Sequence, residues 1–295
     1  MRLFFKGIVC FLSLSILWCL INFLWSSFFL SKIICGSEEK EQIYVFGDSH
    51  TEYSLLPNDD NQLKNLSTSG EPLRDTYYKY LSLKKEIGDS CTIIIGVGYH
   101  SFYFYTENDT SQLQVNEMYN MLNDNSQLPF YFQKTDKREF VYKFLSFLYS
   151  LPIYVLNKDR YGGYKEMKRS LDLSEDAACQ RFKKHFENKL FDPNTISFLR
   201  KICDSKAGRV IIYFAPVHPN YFNLIPDTIK LKIDGLCASL VDNKKVFLLN
   251  YSNIELDDSC FYDSDHLNKK GGKNITRILL GNVNEIKYGK KKYNY

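Results

Sequence analysis

Apolar residues fall along this chain in three rhythms. From 7 to 30 the sequence is almost wholly apolar and uncharged, and about 20 such residues suffice to cross a bilayer. Beyond it, short continuous apolar runs recur at 43–46, 91–96, 209–214 and 245–250. Runs of that kind mark strands buried on both faces of a parallel sheet. Between them the apolar positions return at helical spacing, as in Leu73, Tyr77, Tyr80, Leu81 and Leu83, with charged residues filling the intervals. The stretch 65–72 reads as a short strand and a Gly turn. Residues 174–204 read as a charged, solvated helical cover, and a closing helix opens near Leu267. Strands alternating with helices predict an α/β fold. The expected architecture is a three-layer α/β/α domain on a flavodoxin-like parallel sheet, preceded by one N-terminal transmembrane helix.

Charge orients that first helix. Arg2 and Lys6 precede it, whereas Glu38, Glu39 and Glu41 follow, mixed with Lys32 and Lys40. The start is therefore expected in the cytoplasm and the remainder on the extracytoplasmic side, periplasmic or extracellular. The apolar run exceeds the core of a signal peptide, and no small-x-small cleavage site follows it cleanly, so an uncleaved signal anchor is expected. The organisation reads as a tail at 1–6, the anchor at 7–30, a linker at 31–41, an α/β domain at 42–283 and a basic tail at 284–295. A helical, aromatic-rich insertion occupies about 102–207. Its segment 140–156 is read as a helix against the core or the site wall, with a helix on the bilayer surface as the alternative.

Composition narrows the classes further. A net charge of +4 is mild and spread out, with a basic run only at 287–292, so no nucleic-acid partner is expected. Cys10 and Cys19 lie in the anchor, and the six cysteines beyond it form no C-x-x-C pair. Disulfides are permitted, and zinc is not suggested.

Polar clusters end the predicted strands: Gly47-Asp48-Ser49-His50, then Gly96-Val97-Gly98-Tyr99-His100-Ser101, then Ala215-Pro216-Val217-His218-Pro219. In an open α/β sheet these fall together at one edge, where ligands bind. Far along the chain, Asp263-Ser264-Asp265-His266 sets a carboxylate three residues before an imidazole. Ester chemistry by serine needs an exposed hydroxyl, an imidazole to take its proton and a carboxylate to orient that imidazole. Ser49, His266 and Asp263 supply these types. Each motif alone is common, since Gly, Asp and Ser are turn residues and Asp263 or Asp265 could cap the closing helix. Their placement after the first and last strands gives the pair its force.

These two motifs resemble those of the SGNH (GDSL-type) hydrolases, over about residues 42–283. The resemblance implies Ser49 as nucleophile, His266 as general base and acid, Asp263 as orienting carboxylate and a Gly70 N–H in the oxyanion hole. The family's third block is Gly-x-Asn-Asp, but here Gly98 occupies the Asn position, so His100 or a backbone N–H around Gly98 is expected to substitute. His50 also departs from the usual Gly-Asp-Ser-Leu form. Asp48, His50, Asp265 and Tyr99 are secondary candidates. A membrane-anchored member with a degenerate third block is similar to the polysaccharide O-acyltransferase branch. That implies a glycan or other acyl-ester substrate, a membrane partner delivering the acyl group, and no cofactor.

Two other readings use the same residues. Asp48, His50, Asp263, Asp265 and His266 suit a two-metal phosphoesterase, but the Gly-Asp-x-x-Asp and Gly-Asn-His that complete such sites are missing, and no metal is expected. A non-catalytic envelope-assembly or glycan-binding module is the other, prompted by the absent Asn.

Overall fold

The computed structural model describes residues 2–34, 42–57, 63–87, 90–104, 163–167, 172–205 and 207–288. The predicted aromatic helix at 140–156, Cys35, most of the linker and the basic tail from 289 lie outside them. In chain order the elements are α1 (Arg2–Ile34), β1 (Ile43–Phe46), α2 (Ser49–Ser54), β2 (Leu63–Asn65), α3 (Leu73–Ile87) and β3 (Thr92–Val97). A 3-10 turn (Tyr99–Phe102) leads into β4 (Tyr103–Phe104). Then follow α4 (Glu175–Phe186), β5 (Leu190–Phe191), α5 (Pro193–Cys203), β6 (Arg209–Phe214), α6 (Pro219–Phe222), α7 (Asp227–Ala238), β7 (Val246–Asn250) and α8 (Lys269–Lys287).

Five strands pair in parallel in the order β2-β1-β3-β6-β7. Strand alternation sorts their side chains onto two faces. Tyr44, Phe46, Ile93, Ile95, Val97, Val210, Ile212 and Phe214 share one core with Tyr80, Leu83, Leu199, Ile202 and Ile233, which come from α3, α5 and α7. Ile43, Val45, Ile94, Ile211 and Tyr213 pack on the other face beneath Ile275, Leu279 and Val283 of α8. Both faces are thus covered, which is why the strands read as continuous apolar runs.

The 2-1-3-4-5 spatial order of the sheet strands is that of flavodoxin-like folds, and it opens a crevice where the chain reverses direction between β1 and β3. Gly96 lets α2 enter that crevice: a Cβ there would lie 1.6 Å from Thr51 Oγ1. Only a bare backbone allows α2 to sit so close over the end of β3.

One boundary differs from the sequence reading. The short strand lies at 63–65, ahead of the predicted stretch, and pairs with β1. Helix α5 buries Leu199 and Ile202 against the sheet as an ordinary layer helix. Helix α1 is long and apolar enough to cross a membrane, and none of its stretch 4–21 is buried. Cys10, Cys19, Cys91, Cys179, Cys203, Cys237 and Cys260 are all free thiols.

Candidate active site

Asp48 ends the turn after β1 and caps α2, accepting the His50 amide on Oδ1 at 3.0 Å. Ser49 therefore opens a helix directly beneath the crevice. Its backbone N–H belongs to the first turn, where no helical carbonyl can take it.

The partner loop forms between Phe261 and Leu267, which close it with an antiparallel bridge. Asn268 caps α8 through the amides of Lys270 and Gly271, so that task falls to neither Asp263 nor Asp265. Asp263 Oδ1 instead accepts the amides of Asp265 (3.1 Å) and His266 (2.9 Å). The same carboxylate receives His266 Nδ1 at 2.9 and 3.1 Å, and His266 Nε2 lies 2.8 Å from Ser49 Oγ. An ionised Asp263 commits the ring proton to Nδ1. Nε2 is then left with its lone pair, and the Ser49 hydroxyl donates to it.

Around this line the other polar side chains converge. Arg181 donates from Nη2 to Asp263 Oδ2 at 2.8 Å, and its Nε sits 2.9 Å from Asp265 Oδ1. His50 lies between Asp48 and Asp265, 3.3 Å from each, at ion-pair distance but off the line of a hydrogen bond. Its ring is 4.9 Å from that of His266 and 4.4 Å from that of His100. His185 stacks on His100 at 4.5 Å and hydrogen-bonds Tyr221 through Nδ1 at 2.6 Å. Four of the protein's five histidines thus meet in one place.

Charge within the cluster is divided. Burial opposes a charge on His50, but Asp48 and Asp265 outweigh it and raise the ring from 6.5 to about 10. Burial likewise opposes ionisation of both carboxylates, yet His50 and His100 hold Asp48 well below its usual range, and His266 and His50 do so for Asp265. Burial and the cationic His50 lower His100. His185 is lowered strongly, by burial and by His100.

No protein-family model matches the chain, and no curated protein matches it. Its chemistry is therefore read from its own side chains.

The remaining candidates are placed as follows. Gly70 lies exposed in a turn at φ +73°, in a loop held to the start of α2 by the Thr68 amide on the Gly47 carbonyl at 3.0 Å. The Gly98 N–H donates to Ser101 Oγ at 2.9 Å and is thereby engaged. The His100 imidazole folds over Gly98, with Nδ1 2.7 Å from where a Cβ at 98 would stand. A side chain at 98 and this imidazole exclude each other. Tyr99 is buried against Phe214 and Phe222, with its hydroxyl on Asp234 at 3.1 Å, so it serves packing rather than an open site. Tyr103 packs between Phe186 and Phe191.

Arg181 and His185 were read as part of a solvated cover. Their spacing of four residues places both on one face of α4, the single signal the sequence held for them.

Two sets, Asp48-His50-His100 and His50-Asp265-His266, bring ligand atoms within 4.8 Å of one another, and their donor types suit a transition-metal cation. The carboxylate oxygens such an ion would need already face Arg181 and cationic His50.

A pH dependence of stability follows from His50. Its folded-state value lies above the unfolded one, so its contribution is fully present below pH 6.5 and is lost as pH rises through about 10. The loss is on the order of a few kcal/mol. Melting temperature measured from pH 6.5 to 10 falls in the parent protein. In His50→Gln it starts lower and stays flatter across the same window; equal slopes would refute the assignment.

Proposed function

We propose that the protein is a serine-dependent esterase or O-acyltransferase acting on acyl esters of cell-envelope or extracellular polysaccharide. The observation that carries this reading is the continuous line Ser49 Oγ, His266 Nε2, His266 Nδ1, Asp263, with separations of 2.8 and 2.9 Å. In this reading His266 takes the Ser49 proton as Oγ attacks the acyl carbon. The same proton passes to the departing alkoxide, leaving an acyl-serine. Water or a sugar hydroxyl then attacks, its proton passes through His266 to Ser49, and the ester or acid leaves. The resemblance of Gly47-Asp48-Ser49 and Asp263-x-x-His266 to SGNH hydrolases supports the same roles. The first-turn N–H of Ser49 and the loop bearing Gly70 are the candidate oxyanion donors. Loss of the family's Asn withdraws a donor worth about 3 kcal/mol in a transition state.

An apolar α1 with Arg2 and Lys6 at its start suits an anchor that leaves the domain outside the cytoplasm. Transfer on that side requires an acyl group carried across the membrane, which implies a membrane partner.

The test uses the full chain in detergent. A fluorophosphonate adds covalently at Ser49, seen as one adduct by intact mass, and Ser49→Ala takes up none. No adduct on the parent protein, together with no ester turnover, would leave a non-catalytic binding or assembly module. Turnover that survives Ser49→Ala and stops with a chelator would establish the metal-dependent phosphoesterase alternative.

A further inference from the structure

We propose that His100, braced by Asp48, is an acceptor subsite whose Nδ1 holds a hydroxyl of a polyhydroxylated acyl acceptor. The inference rests on the acyl-serine reading above and names what receives the acyl group.

His100 is fixed on three sides. His185 stacks on its ring at 4.5 Å, and the His50 ring crowds an adjacent side at 4.4 Å, the two being 6.0 Å from each other. Its Nε2 lies 2.8 Å from Asp48 Oδ2, and Asp48 is itself held as the cap of α2. What remains is the Nδ1 edge, lying over Gly98. Nδ1 takes no protein hydrogen bond among the described residues. The side chain keeps 17% of its surface open, whereas His50 keeps 4%. A ring held by a stacked neighbour, a second imidazole and the Asp48 carboxylate, with one free nitrogen, is preorganised to bind something.

The free nitrogen also defines the ligand. Asp48 is ionised and accepts, so the ring proton of a neutral His100 resides on Nε2 and Nδ1 offers a lone pair. Burial beside cationic His50 keeps the ring neutral. Nδ1 therefore accepts a hydrogen bond and cannot stabilise an oxyanion, which removes the substitute role expected for His100 in place of Asn. The ligand must bring a donor. Cationic His50, whose ring lies 4.4 Å away, disfavours an ammonium donor, which leaves a neutral hydroxyl. The His50 ring separates His100 from His266, so the hydroxyl held at Nδ1 is not the one His266 serves. An acceptor with several hydroxyls spread over a sugar-sized framework meets both.

The experiment partitions the acyl-enzyme. The full chain in detergent is acylated with p-nitrophenyl acetate, and its acetyl group is offered to water, methanol and sorbitol, a flexible polyol with hydroxyls at every spacing. The parent protein prefers sorbitol over methanol by about tenfold per hydroxyl, the worth of one hydrogen bond. Two variants separate the ring nitrogens. In His100→Gln the amide reaches the place of Nε2 and keeps Asp48 but supplies nothing at Nδ1, so the preference is lost. In His100→Asn an amide oxygen stands near Nδ1, so the preference survives. The reverse pattern, in which Gln preserves the preference and Asn abolishes it, would reduce His100 to a structural brace and overturn the proposal. An acyl-serine with no sorbitol preference in the parent protein would overturn the subsite alone. Absence of any acyl-serine would overturn the underlying reading along with it.

Discussion

On the serine-esterase reading proposed above, His266→Gln is expected to lower turnover of p-nitrophenyl acetate on the order of 10⁶-fold. His266 is the single group that joins Ser49 at 2.8 Å to the carboxylate of Asp263 at 2.9 Å, and no other base touches the hydroxyl among the described residues. Its loss leaves a neutral alcohol with nothing to take its proton. Members of such a line act as one unit, so removing one costs about as much as removing all. The double variant Ser49→Ala, His266→Gln therefore falls no further than either single change. Additive losses in the double variant would mean that the two residues work independently. Activity within tenfold of the parent would place the chemistry elsewhere in the cluster. Pre-steady-state kinetics with intact-mass detection reads both quantities, since a protein without its base accumulates no acyl-serine on the turnover timescale.

The sheet was legible because burial on both faces writes itself as continuous apolar runs, and β1, β3, β6 and β7 fall where those runs stand. Strand β2 was harder: three residues, Leu63 to Asn65, are too few for a period. The line Ser49, His266, Asp263 was suggested by two motifs whose partnership depends only on strand order. Everything supporting it was hidden for a physical reason. Periodicity reports which face of a helix is apolar, but not what its polar face meets, so α4 read as a solvated cover while presenting Arg181 and His185 to two buried carboxylates. Likewise Gly98 read as a missing donor. In the structure its lack of a side chain is what admits the His100 ring, a relation between residues two apart that depends on a rotamer. Asp265, fully buried, faces His50, His185 and Arg181 together, and no spacing rule predicts so many partners for one carboxylate.

Arg181→Met destabilises the protein by about 3 kcal/mol, roughly 10 °C in melting temperature for a domain of this size. The cause is Asp265. Its side chain is 0% exposed and loses the guanidinium 2.9 Å away, and a buried carboxylate stripped of a partner costs far more than an exposed ion pair returns. Catalysis suffers by a second route. Arg181 holds Asp263 Oδ2 at 2.8 Å while Oδ1 orients His266. Without Arg181 the carboxylate turns more freely, and turnover falls about tenfold to a hundredfold. A helix that merely covered the site would lose stability with turnover per folded molecule unchanged, which makes that turnover the deciding measurement. Arg181→Lys separates charge from geometry. An ammonium is a point charge and meets one carboxylate at a time, whereas the guanidinium fork spans both Asp263 and Asp265. The lysine variant therefore recovers only part of the turnover and part of the melting temperature. Full recovery of both by lysine would mean that the fork geometry is unnecessary and that α4 is held to the site by charge alone.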